Sequence, residues 1–213
     1  MKTLTIFLGL CLFSTASKPC HPYDKSESHF FCPLNYTKVG GFEIQVTPVQ
    51  DLIIQCQDLN SLQMPQFPNI APSKITRLQL HSCPLPRTGF KKIQNWFSKD
   101  NLNTIVYEYG NPLHKVLTKE MFHDLKHLRF VKLAHNKLGS LDESAFATTP
   151  NLVALVLKRN NLSVIKAKLF KNLEVLEWLD LSGNRLENLP PGLFKSLKKV
   201  TNLDLSGNQI TTL

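Results

Sequence analysis

The sequence lacks the short motifs on which most catalytic sites depend. Its 213 residues contain no CxxC, no GxGxxG, no GxSxG and no HExxH. Each absence removes a chemistry. The scattered cysteines do not have the spacing of a structural zinc site. Gly40 and Gly41 stand alone, so no glycine-rich loop cradles a phosphate. Two "LSGN" segments lack the GxSxG that lifts a serine nucleophile onto an elbow. His123 and His127 are four apart in "HDLKH", but no Glu follows the first and no third ligand is evident. No catalytic residue, cofactor or metal is therefore expected, and the chain reads as a non-enzyme. Long apolar runs are missing too. No stretch approaches the ~20 residues that span a bilayer.

The apolar run that does occur is short and lies at the start. In "MKTLTIFLGLCLFSTASKPC", Lys2 precedes the run Leu4 to Phe13, and the small residues Ser14 and Ala16 precede a cut after Ala16. This is the pattern of a secretory signal peptide, residues 1–16. Secretion gives the cysteines a new meaning. Cys11 leaves with the leader, and Cys20, Cys32, Cys56 and Cys83 remain, an even number bound for an oxidising compartment. Three pairings are open. Cys20–Cys32 with Cys56–Cys83 is favoured, because the first closes a polar segment and the second ties a candidate strand to the segment after it. Two sequons, "NYT" at Asn35 and "NLS" at Asn161, predict N-linked glycans in the same compartment. The formal charge of +9 suits an acidic partner or an anionic surface. The cations are spread along the chain, however, as a solvated surface would have them.

The chain repeats itself. "LRFVKLAHNKLGSL" from Leu128, "LVALVLKRNNLSVI" from Leu152, "LEWLDLSGNRLENL" from Leu176 and "VTNLDLSGNQITTL" from Val200 share the frame LxxLxLxxNxLxxL. Their asparagines, Asn136, Asn160, Asn184 and Asn208, are each 24 residues apart, as are Phe146, Phe170 and Phe194. "ITRLQLHSCPL" from Ile75 fits the frame with Cys83 at the asparagine position. "LNTIVYEYGNPL" from Leu102 fits its first half, with Tyr107 for a leucine and Asn111 one residue late, which predicts a small insertion. The period is that of leucine-rich repeats. Alternation puts the two central leucines of each frame on one face of a short strand. Stacked parallel strands then build a continuous core that no single repeat could bury alone. The asparagine amide would satisfy backbone groups at the bend, each costing ~1–3 kcal/mol if buried unpaired. The fold expected is an α/β solenoid: a leucine-rich repeat horseshoe segment with a parallel sheet on its concave face and an irregular or short-helical convex side.

Residues 17–74 do not repeat. "GFEIQV" alternates apolar and polar residues as a half-buried strand does, and "DLIIQC" comes next across "TPVQ", so a β-hairpin is expected. Stapled by disulfides, it would cap the first repeat's open edge. The expected division is a leader at 1–16, a cap at 17–74 and repeats over 75–213. The repeats start near 75, 102, 128, 152, 176 and 200, and the last is incomplete. Its exposed leucine edge suggests the front of a longer solenoid.

"CPLN", then "FEIQVTPVQDLIIQC", then "ITRLQLHSCPLP", followed by 24-residue repeats, resembles the amino-terminal ectodomain of arthropod Toll receptors. The resemblance implies a receptor of innate immunity or development that binds a Spätzle-like cystine-knot cytokine outside the cell, with a membrane span, a TIR signalling domain and receptor dimerisation in the full-length protein. This chain carries neither the span nor the TIR domain. The alternative is a secreted adhesion or matrix protein with the same repeats, and nucleic acid is a disfavoured third partner. The non-leucine strand positions offer the contact face. Phe130, Lys132, Ala154, Val156, Lys158, Trp178 and Asp180 are its central residues, where exposed aromatics beside charges suit protein anchors.

Overall fold

A computed structural model describes residues 21–22, 29–33, 41–47, 51–56, 75–83, 90, 100–110 and 116–211. The leader, Cys20, Asn35 and Asn111 lie outside them, and with Cys20 the expected Cys20–Cys32 bridge.

The first four strands among the described residues are β1 His21–Pro22, β2 His29–Pro33, β3 Gly41–Val46 and β4 Asp51–Cys56. They pair antiparallel in chain order. β3 and β4 form the expected hairpin. Thr47 closes it: its N–H donates to the Asp51 carbonyl at 2.9 Å, and its hydroxyl accepts from the Asp51 N–H at 3.1 Å. The chain continues through β5 Arg77–His81, β6 Thr104–Glu108, β7 Val116–Leu117, β8 Phe130–Lys132, β9 Ser140–Leu141, β10 Ala154–Val156, β11 Trp178–Asp180 and β12 Asn202–Asp204. β4 turns the sheet over to parallel pairing. It lies beside β5, and β6, β8, β10, β11 and β12 complete one ten-stranded sheet. β7 and β9 make a separate two-stranded parallel pair.

Register explains why this sequence stacks. Leu78 faces Ile105, which faces Val131, then Leu155, Leu179 and Leu203. All but the last are essentially without solvent contact, whereas Leu203 on the outermost strand is 43% exposed. Fully burying such a side chain stabilises by ~1.5–3 kcal/mol, so every added turn strengthens the core. On the return side Phe122 stacks on Phe146 at 5.7 Å, Phe90 lies 5.9 Å from Phe122, and Phe170 stacks on Phe194 at 6.4 Å. The return segments are tight turns closed by i to i−3 bonds, such as Leu169 N–H to the Lys166 carbonyl and Leu173 N–H to that of Phe170. One of them is a 3-10 turn, Lys119–Phe122.

The asparagines knit neighbouring turns. Asn160 donates through Nδ2 to the carbonyls of Leu133 (2.7 Å) and Leu157 (2.9 Å), and its Oδ1 accepts from the N–H groups of Asn136 and Leu138. Asn184 and Asn208 repeat the pattern one turn on each. Asn136 reaches back to the Tyr107 carbonyl and accepts from the Gly110 N–H. Gly110 thus holds the asparagine position of its repeat, and the frame from Leu102 runs to it without an insertion. The extra length of that repeat lies after Gly110. The Tyr107 hydroxyl does part of the missing amide's work, donating to the Cys83 carbonyl at 2.9 Å.

The residue before the asparagine, eighth in the frame, is left-handed in every repeat. Its φ is 55° at Ser82, 57° at Tyr109, 59° at His135, 51° at Arg159, 66° at Gly183 and 65° at Gly207. Glycine adopts this region freely, whereas a side chain there costs about 1 kcal/mol or more.

Cys56 at the end of β4 is bonded to Cys83 just past β5, with Cα atoms 4.9 Å apart. The bridge ties the hairpin to the first repeat, as the sequence pattern favours.

Candidate protein-binding face

Side chains that alternate with the buried leucines form three columns on the open face of the sheet. Arg77, Thr104, Phe130, Ala154, Trp178 and Asn202 line up in the first. Gln79, Val106, Lys132, Val156, Asp180 and Asp204 make the second. The third lies at the strand ends and includes His81, Glu108 and Lys158.

The seven residues singled out by the sequence do share this face, but not one environment. Trp178 is 51% exposed. Phe130, Lys132, Ala154, Val156 and Lys158 are half-buried. Asp180 differs: it is only 8% exposed, and its carboxylate accepts from both the Ser182 N–H (2.9 Å) and the Ser182 hydroxyl (2.6 Å). It closes a turn and offers little to a partner. Asp204 repeats the arrangement with Ser206 on a more open site. There the Ser206 hydroxyl, then its N–H, hold the carboxyl below its ordinary range, and the Lys158 charge adds to the effect.

A shallow depression of about 420 Å³ begins at two of those seven residues and extends toward the cap. Phe130 and Lys132 line it, together with Arg77, Gln79, Thr104, Val106 and Glu108. Its floor is apolar (Val106, Phe130) and its walls are ion pairs. Lys132 Nζ lies 2.9 Å from Glu108, and Arg77 lies 3.5 Å from Asp51, which also accepts from Gln79 at 3.4 Å. Side chains prearranged in this way lose less entropy on meeting a partner. The 24-residue frame alone puts all these residues in the three columns. It does not show that Glu108 and Lys132, in different columns on neighbouring strands, meet diagonally. Phe122 joins the aromatic spine one full period before Phe146, a place the spacing of Phe146, Phe170 and Phe194 could have signalled.

Among the described residues no cluster of three or more His, Cys, Asp or Glu could hold a metal ion. His123 Nδ1 lies 3.0 Å from Asp124, while His127 lies 3.9 Å from Asp100, so the two histidines face different carboxylates. No helix among them is long and apolar enough to cross a membrane.

Residues 110–162 and 150–210 match the family described as "Leucine rich repeat". Residues 110–210 are a leucine-rich repeat array. The array with its cap is similar to the Toll–Spätzle complex of Drosophila, a glycosylated form, at 21% identity over 93% of this chain and 26% of that one, with a TM-score of 0.67. At that identity the likeness concerns the fold. A TLR13–ssRNA13 complex is 28% identical over 62% of this chain and 18% of its own, with a TM-score of 0.52. The leucine-rich repeat protein LIC12759 of Leptospira interrogans is also 28% identical, over 68% of this chain and 36% of its own, with a TM-score of 0.54. The chain thus spans well under half the length of these relatives, two of which are complexes with a partner. No curated protein sequence matches it.

Proposed function

We propose that this chain is the extracellular ligand-recognition part of a Toll-type receptor, and that its leucine-rich repeats bind a Spätzle-like cystine-knot cytokine. The observation that carries the reading is the concave face. A preformed, ion-paired depression that includes Phe130 lies two strands from the half-exposed Trp178, and this composition suits a protein anchor. The leader pattern and the Cys56–Cys83 bridge fit an oxidising, extracellular setting. Similarity to the Toll–Spätzle structure favours a cytokine over other proteins. A secretory route also predicts a glycan on the half-exposed Asn161, which glycopeptide mapping reads directly. Catalysis has no part in this reading.

The test is surface plasmon resonance with an immobilised cystine-knot cytokine. Phe130→Ala and Trp178→Ala should each weaken binding by about tenfold, the scale of an aromatic hot spot. Unchanged affinity in both variants would remove this face from the interface. No binding by the parent chain would remove the cytokine.

A further inference from the structure

The concave depression uses its cations internally, in the pairs Lys132–Glu108 and Arg77–Asp51. The edge formed by the asparagine turns does not. Positions eight and ten of the frame flank each ladder asparagine, and among the described residues no Asp or Glu occupies either position in any repeat. Lys137 and Arg185 stand at position ten and Arg159 at position eight. All three are exposed, and among the described residues none is ion-paired with a carboxylate.

Backbone geometry recurs along the same edge. The left-handed eighth position holds glycine in two repeats, so the fold accepts the residue that bears this conformation without strain. Ser82, Tyr109, His135 and Arg159 bear it with a side chain, as does Lys137 at position ten with φ 56°, and burial does not compensate fully. Tyr109 is 55% exposed, and its ring stacks on His135 at 4.8 Å with 26° between the planes. The Arg159 stem lies over Gly183, where an added Cβ would come within 2.9 Å of Arg159 Cγ. Backbone strain of this kind clusters at binding and switch sites.

We propose that this edge is a second contact surface, distinct from the concave face, and that it receives an acidic segment of a protein partner. Carboxylates of the segment would pair with Lys137, Arg159 and Arg185, and an apolar side chain would cover the Tyr109–His135 stack. Successive strands are ~4.8 Å apart, so the three cations fall within reach of one short segment. A nucleic-acid strand is the weaker fit. Such strands stack successive bases on open aromatic faces, and here one ring pair has already stacked on itself.

The test uses a decaglutamate peptide as probe and isothermal calorimetry at low salt. Asn161 lies at position ten between Lys137 and Arg185, so each protein is measured both as secreted and with Asn161→Gln, and binding by the Asn161→Gln form alone would overturn the proposal. Changing Lys137, Arg159 and Arg185 together to Gln should weaken binding about tenfold or more. The triple change Lys166→Gln, Lys168→Gln, Lys171→Gln, which lowers the net charge equally at exposed residues of the return side, should change it less than twofold. Equal losses in the two triples, or no binding by the parent, would overturn the proposal. Tighter binding of a decameric single-stranded RNA, lost in the first triple alone, would reassign the edge to nucleic acid.

Discussion

Tyr107 and Gly110 are a matched pair: the phenol ring fills the space that any side chain on residue 110 would need. A Cβ at Gly110 would overlap the Tyr107 hydroxyl and come within 2.8 Å of the Cys83 carbonyl. In the repeats from Leu128 onward a leucine and an asparagine hold these two positions. Tyr107→Leu alone should destabilise by ~1–3 kcal/mol, since it leaves the Cys83 carbonyl unpaired. Gly110→Asn alone should cost ~1–3 kcal/mol by overpacking. Together they rebuild the ordinary repeat, so the double variant should be more stable than either single one. Thermal denaturation of the four proteins checks this; strictly additive losses would mean that the two positions are not coupled.

Burial pushes the Tyr107 phenol above its ordinary value of 10.0. The folded state therefore holds this proton more tightly than the unfolded one. The resulting stability is fully present below about pH 10 and is lost as pH rises beyond it. Melting temperature should fall more steeply above pH 10 in the parent than in Tyr107→Phe. That variant should start about 1 kcal/mol lower at neutral pH, having lost one hydrogen bond. Identical alkaline slopes would show that Tyr107 does not control the transition.

Asn160 and Asn208 make the same kinds of bond at different depths. Asn160 is buried with turns on both sides, while Asn208 is half-buried on the outermost one. Replacement of Asn160 by Ala leaves the Leu133 and Leu157 carbonyls and the Asn136 and Leu138 N–H groups without their partner. The expected loss is ~3 kcal/mol or more, against ~1 kcal/mol for Asn208→Ala, where water can replace the amide. Urea titrations of the two variants should rank them in that order.

The Cys56–Cys83 bridge closes 27 residues of chain. Restricting the unfolded chain over a loop of that length stabilises by about 3.5 kcal/mol. Changing both cysteines to Ser should lower stability by that amount and expose the β4–β5 junction first. Hydrogen exchange at the Leu78 and Leu80 amides would report it, and unchanged protection there would place the bridge's effect elsewhere.

Much of this structure is legible in spacing alone. The frame starts at 75, 102, 128, 152, 176 and 200 put the right residues opposite one another in every strand, because a parallel stack permits little freedom of register once leucines must align. Local chemistry is harder to read. Asn111 looks like a displaced ladder residue, yet Gly110 occupies the position, because a tyrosine one strand over from Cys83 can replace a leucine and an amide at once. The left-handed backbone at Tyr109, His135 and Arg159 leaves no trace in those residues; only Gly183 and Gly207 hint at it. Asp180 looks like an open acid, but a serine two residues on occupies it. The concave depression depends on diagonal partners, which a column-by-column reading does not pair.

The hairpin strand β4 carries the sheet's columns outward past the first repeat. Asp51 pairs with Arg77 and accepts from Gln79, so the surface runs without a break from cap to array. The cap is therefore not an interchangeable part. A hairpin grafted from another solenoid would leave Cys83 without its bond and Arg77 without its counterion. Any chimera of this protein must carry residues 41–83 as one inheritance, and a junction cut at residue 74 would divide a surface that the molecule treats as single.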